Sequence, residues 1–246
     1  MAPERSDWFD VSPYVVHFTK AGGDLPPPPS DASNLSTTMR EIADTPPSDL
    51  DRFMCILGDR WLYPGSKQFG SARLRKLGDS QCAVCFSEVP LGLLDRLVER
   101  YSDWGIGFPK GLVRKAGGGP VWYLHNRGAP AKAFRKLVTR ELRNFDPESP
   151  LWDLTPLVDQ PGEYEMGRYE FEWEREWRLP GPNGFDFAPH EIAFLFAPEG
   201  EHEGIRGFLD EAHSRGDAED FTCPLVDASW ERARIEEAVE LHLGDA

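Results

Sequence analysis

The sequence predicts an α+β fold: a single mixed domain over residues 1–246 with central, largely antiparallel strands and peripheral helices. Three observations predict it. Short apolar runs with strand character and amphipathic stretches of helical period both occur. They follow one another without the regular alternation of a doubly wound sheet. Beyond one proline-rich loop at 20–33, no linker separates two cores, and no internal repeat is visible.

The elements follow in chain order. Tyr14-Val15-Val16 is a buried strand ending at His17. Gly22-Gly23 and Pro26 to Pro29 come next. Four consecutive prolines supply no ladder donors and continue no helix, which makes 20–33 an exposed polyproline-like loop. Ser33-Asn34 caps a short helix carrying Leu35, Met39 and Ile42. Ser48, with Asp51 three residues on, caps a second helix with Phe53, Met54, Ile56 and Leu57 on its apolar face. The basic stretch Lys67 to Ser80 reads as loop with a short helical turn. Cys82 to Val89 is a strand, and Leu91 to Tyr101 a helix with Leu93, Leu94, Leu97, Val98 and Tyr101 on one stripe. Gly105 to Phe108 is a short strand, Gly117-Gly118-Gly119-Pro120 a turn, and Val121 to Leu124 a β-prone run. Ala131 to Phe145 is a basic amphipathic helix with Phe134, Leu137, Val138 and Leu142 inward. Tyr169 to Leu179 is a glutamate-rich strand, Ile192 to Phe196 an apolar one. Helices span Glu203 to Ser214 and Trp230 to Leu243.

Composition narrows the function classes. With 40% apolar residues, eight Trp and fifteen Phe, the chain has the material for a packed core. No apolar run approaches the roughly 20 residues a membrane helix needs. The opening residues lack the basic-then-apolar pattern of an export signal, so the cytoplasm is the expected compartment. Four cysteines make no disulfide framework. Cys82 and Cys85 form a lone C-x-x-C with no second ligand pair, and they read as small core residues rather than a zinc site. The net charge of −15 is uneven: residues 67–143 hold 15 Lys and Arg against 6 Asp and Glu. That basic middle is either a surface for phosphate or nucleic acid or a segment neutralised by the acidic remainder.

Three short motifs carry the candidate chemistry. In Glu172 to Arg178, strand alternation places Glu172, Glu174, Glu176 and Arg178 on one side and Trp173, Arg175 and Trp177 on the other. Carboxylates about 7 Å apart raise one another's pKa unless cations answer them. The stretch is therefore either a solvated charged face or a binding site, with Arg178 orienting Glu176. His17 at its strand end suits a ribose hydroxyl or acid–base work, or is a satisfied structural histidine. Ser87-Glu88 lacks a nucleophile elbow and reads as a ligand contact or strand cap. Tyr101, Trp104 and Lys110 supply ring faces and a cation for a planar, phosphorylated ligand, or simply core.

Taken together, the motifs resemble the bacterial abortive-infection family AbiGi over roughly residues 14–197. The matching strings are His17-Phe18-Thr19, Cys85 to Leu91, Tyr101 to Lys110 with Gly105-Ile106-Gly107-Phe108, Pro120 to Tyr123, and Glu174 to Arg178. The resemblance implies phage defence within a toxin–antitoxin-like system, with a cognate toxin or antitoxin as partner. His17-Phe18-Thr19 followed by Asn34-Leu35 is also distantly similar to DarT-like ADP-ribosyltransferases, although here the proline loop separates the two strings. That similarity implies NAD as the substrate cofactor and Glu176 and His17 as catalytic residues. It also implies His17, Thr19 and Ser87 around the nucleotide, where Tyr101 would add its ring face and Arg178 would orient Glu176, with a nucleic acid or protein as acceptor. Two alternatives stand beside it: a non-catalytic antitoxin or regulator, and a metal-dependent nuclease built on the acidic strand.

Overall fold

Strands form where the sequence runs apolar or alternates, and helices where its apolar period is 3.6, so the architecture is α+β with mixed, mostly antiparallel pairing. A computed structural model describes residues 12–20, 24–65, 72–88, 90–165 and 167–244. Gly22-Gly23, Lys67 and Val89, on which parts of the sequence reading fall, lie outside the described residues. The chain divides into two units. The first is Met1–Leu62, Glu88–Leu112 and Asp186–Ala246; the second is Tyr63–Ser87 and Val113–Phe185. No helix among the described residues is long and apolar enough to cross a membrane.

In the first unit, Gly105–Pro109 lies between Tyr14–Phe18 and Phe194–Phe196, antiparallel to both, and Leu225–Val226 adds in parallel to the outer strand. Register explains the glycines of Gly105-Ile106-Gly107-Phe108. Gly105 faces Phe196 and Gly107 faces Phe194, and a Cβ at either position would sit 2.3 Å from the opposing ring. The two rings occupy the space that side chains would otherwise fill. Val16, Leu91, Leu94, Phe194, Phe196 and Ile235 form the core on that side. Ser48 and Asp51 close the expected capping box on the Asp49–Asp59 helix, which ends on a left-handed Arg60 at φ 54°. Ser33 precedes the Asn34–Ile42 helix as expected, but its hydroxyl is donated to the Gly58 carbonyl rather than to the helix. Between these helices Asp59, 1% exposed, accepts both arms of Arg40 at 2.7 and 2.8 Å and the Ser36 hydroxyl. Arg40 also donates to the Pro26 carbonyl, tying down the proline loop, whose Pro27 and Pro28 are exposed.

The helix expected over Leu91 to Tyr101 is instead a 3-10 turn, Leu91–Leu93, followed by a single helical turn, Asp95–Val98. Pro90 sets this geometry: its carbonyl accepts from Leu93 three residues on, which tightens the entry. The stripe still selected the right core residues, since Leu94 and Leu97 are fully buried.

In the second unit, Glu176–Pro180 lies between Ala83–Ser87 and Gly119–Pro120, antiparallel to both. Of the β-prone run Val121 to Leu124, Val121 still donates to the Glu176 carbonyl at 2.8 Å, and the run then leaves that ladder. Trp122–Tyr123 pairs in parallel with Val158–Asp159, and Gly162–Tyr164 forms a hairpin with Gly167–Tyr169. The Ala129–Arg143 helix starts after Gly128 with Pro130 in its first turn. Phe134, Val138 and Leu142 face inward as expected and pack with Trp152 and Leu77, but Leu137, about 60° off that stripe at about 100° per residue, is 43% exposed. Ala72–Gln81 is a run of 3-10 turns broken at Gly78, where φ is 58°. Gln81, wholly buried at its end, donates to the Trp152 carbonyl at 3.2 Å and accepts the Thr155 hydroxyl.

Candidate functional site

The glutamate-rich segment is not one strand. Glu172–Glu174 is a 3-10 turn, Arg175 takes a left-handed φ of 48°, and the strand begins only at Glu176. The hydrogen bonds from Glu174 N to Phe171 O and from Arg175 N to Glu172 O close that turn. Alternation therefore holds for Glu176, Trp177 and Arg178 but does not reach back to Glu172, Trp173 and Glu174. Trp173 is 47% exposed, whereas Trp177 is 2% exposed in the core.

Register then sorts the side chains of the second unit. Glu176 faces Ser87 and Arg178 faces Cys85, while Trp177 faces Phe86 and Leu179 faces Val84. Directly opposed residues of an antiparallel pair share a face, and the faces alternate along the strand. One face is apolar, with Val84, Phe86, Trp177 and Leu179 all buried and the Arg114 guanidinium 5.1 Å above the Trp177 ring. The other carries Cys85, Ser87, Glu176 and Arg178.

Arg178 is 1% exposed and organises this polar face. Its Nε and Nη2 donate to the two oxygens of Glu176 at 2.9 and 2.6 Å. Nη2 also donates to Asp159 Oδ2 at 2.9 Å, and Nη1 to the Pro156 carbonyl at 2.8 Å. Burial opposes the guanidinium charge, but the hydrogen bonds and charge of Glu176 outweigh it and hold the Arg178 pKa above its ordinary value. Asp159 is fixed in turn by the Tyr169 hydroxyl at 2.9 Å. Burial raises the Tyr169 pKa, and the Asp159 carboxylate raises it further. Tyr123, whose phenol is also pushed up by burial, accepts the Glu176 backbone N–H at 3.0 Å. The result is a bidentate pair held from behind. Its outer member, Glu176, keeps 17% of its side chain exposed.

The first unit holds the other residues singled out by sequence. His17 is half-buried at the penultimate position of Tyr14–Phe18, opposite Ile106. Thr19 is 1% exposed, and both its N–H, at 2.9 Å, and its hydroxyl, at 3.3 Å, donate to the Trp104 carbonyl. Tyr101 stacks on Phe18 with ring centroids 5.3 Å apart, and Trp104 is core against Phe53. Lys110 and Glu88 form a buried ion pair at 2.6 Å. Asn34 donates to Asp217 at 3.3 Å on the wall of a cavity of about 350 Å³ that Arg60 and Glu219 also line.

The structure thus brings together Ser87, Glu176 and Arg178 in the second unit, and Thr19 with the Tyr101–Trp104 segment in the first. Sequence reading missed Asp159, Tyr169 and Tyr123. A buried arginine has five donors to satisfy, so more acceptors than Glu176 were required. Nothing local to Arg178 says that they come from residues 156–159. Among the described residues no group of three or more His, Cys, Asp or Glu is placed to hold a metal ion. No family model, no characterised protein and no solved structure matches this chain.

Proposed function

We propose that this chain is an NAD-consuming ADP-ribosyltransferase of an abortive-infection type of phage defence, with Glu176 as its catalytic carboxylate. The observation that carries the reading is the Glu176–Arg178 pair. A carboxylate accepts about four hydrogen bonds and Arg178 takes two, so the partly exposed Glu176 retains acceptors for a ribose hydroxyl. Its position is fixed by a buried cation that is itself fixed by Asp159 and the Pro156 carbonyl.

That arrangement suits one chemistry. The nicotinamide–ribose bond breaks with its electron pair leaving on the nicotinamide nitrogen, and positive charge develops on the ribose. A carboxylate held in place before the reaction stabilises that charge without reorganising. The acceptor then bonds to the same ribose carbon and gives up a proton. Ser87, opposite Glu176 on the same face, would line the wall beside the ribose. The DarT-like similarity also assigns His17 and Thr19 to the nucleotide, Tyr101 would add a ring face, and the defence role with its cognate partner rests on the AbiGi resemblance alone. One observation favours the non-catalytic alternative: the Thr19 hydroxyl is buried and already donated to a backbone carbonyl.

The test is release of free nicotinamide when the full chain is incubated with NAD and DNA, RNA or protein acceptors in turn. Release above the uncatalysed rate supports the reading. No release with any acceptor at saturating NAD removes it in favour of a partner-binding role.

A further inference from the structure

Charge is divided sharply between the two units. The second carries 15 Lys and Arg against 12 Asp and Glu, a balance of +3, whereas the first carries 12 against 30, a balance of −18. Within the second unit the cations concentrate on the Ala129–Arg143 helix. Lys132, Lys136, Arg140 and Arg143 are all exposed. At about 100° per residue they fall within a sector of about 80° and run about 16 Å along the axis. None of the four side chains forms a hydrogen bond or ion pair among the described residues, although the chain has 42 acidic residues to offer. Arg135 differs from them, since it is tied to Gln160 and the Asn126 carbonyl.

Helix stability does not account for this stripe. Arg140 and Arg143 lie in the last turn, where cations are favourable, but the first turn holds no acidic residue and Lys132 stands close behind it, against the helix dipole. Nor is the helix free to sink an apolar face into a membrane, because Phe134, Val138 and Leu142 are packed against Trp152 and Leu77. A linear row of four exposed cations, unanswered among the described residues, fits a linear polyanion. The helix is also wired to the candidate site: Arg135 holds Gln160, next in sequence to the Asp159 that braces Arg178.

We propose that the acceptor is a nucleic acid whose phosphodiester backbone docks along Lys132, Lys136, Arg140 and Arg143. This rests on the transferase reading for its role as acceptor, but the docking itself needs no NAD. The test is fluorescence anisotropy of the full chain with a labelled 20-nucleotide strand and, separately, with its duplex, from 50 to 200 mM KCl. Wild type is expected to bind at 50 mM, with affinity falling linearly in log–log form. The Lys132→Glu/Lys136→Glu/Arg140→Glu variant should lose about 100-fold at low salt and lower the magnitude of the slope by about 2 to 3, as three lost phosphate contacts require. The stronger of the two probes identifies the single-stranded or duplex source. Lys115→Glu/Arg127→Glu/Arg168→Glu, with the same charge change in the same unit, should lose under fivefold. Equal losses in the two triple variants, or binding to anionic vesicles but to neither oligonucleotide, overturns the docking. Nicotinamide release without oligonucleotide binding sinks this inference alone; binding without nicotinamide release sinks the transferase reading alone.

Discussion

Replacing Arg178 with methionine tests the network that defines the candidate site. The side chain is 1% exposed, and its removal leaves Glu176 and Asp159 facing one another with the Pro156 carbonyl unanswered. Breaking a buried ion pair from one side costs about 3–5 kcal/mol. Both carboxylates keep 17–18% exposure and can be partly hydrated, so the lower end applies, about 3 kcal/mol. With a urea m-value of about 3 kcal/mol/M, the midpoint of the second unit followed by tryptophan fluorescence falls by about 1 M. A second variant sharpens the test. Asp159→Asn removes one of the stranded charges, so the double variant should recover at least about 1 kcal/mol relative to the sum of the singles. A midpoint shift below about 0.3 M, or strict additivity, refutes the claim that Arg178 is the centre on which the carboxylates depend.

Other perturbations separate packing from ionisation. Gly107→Ala drives a methyl into the Phe194 ring at 2.3 Å, and the urea midpoint should report an overpacking cost of about 2–3 kcal/mol. Tyr169 has a phenol pKa raised above its ordinary 10.0, so the folded state favours the neutral form. Its contribution is fully present below about pH 10 and is lost as pH rises beyond that. Tyr169→Phe should therefore cost about 1 kcal/mol at pH 7 through the lost bond to Asp159, and the gap to wild type should narrow in urea titrations above pH 10. A constant gap up to pH 11 contradicts that assignment. Burial pushes the Cys55 thiol up to about 11 and the Cys223 thiol to about 12. Neither should react with a disulfide reagent at pH 8 until urea unfolds the chain, a point read by mass spectrometry of labelled peptides.

The fold class was legible because periodicity reports burial. Tyr14-Val15-Val16, the Ser48 capping box and the Phe134, Val138 and Leu142 stripe of the Ala129–Arg143 helix took the form that the spacing demanded, whereas Leu137 did not turn inward. Errors fell where backbone chemistry outside the pattern intervened. Pro90 tightened the expected Leu91 helix into 3-10 geometry, and a left-handed Arg175 ended what alternation alone treated as continuous strand. The same principle explains the candidate site. Glu176 and Arg178 are two apart on one strand, so their pairing could be read from sequence. Asp159 and Tyr169 reach them through tertiary placement of the 155–169 segment, which no local spacing encodes. Gly105 to Phe108 was legible as a short strand, but the reason for its two glycines was not: they make room for two phenylalanine rings across the ladder.

Glu176→Gln is the substitution on which the account turns, because Arg178 keeps Asp159, the Pro156 carbonyl and the new amide oxygen as partners. The measurement is kcat and KM for nicotinamide release from NAD in wild type and Glu176→Gln at matched folded fractions. The account predicts a kcat at least about 100-fold lower with KM changed little, as for loss of a group acting in the transition state. An unchanged kcat would contradict it and leave Glu176 as an anchor for Arg178 and nothing more.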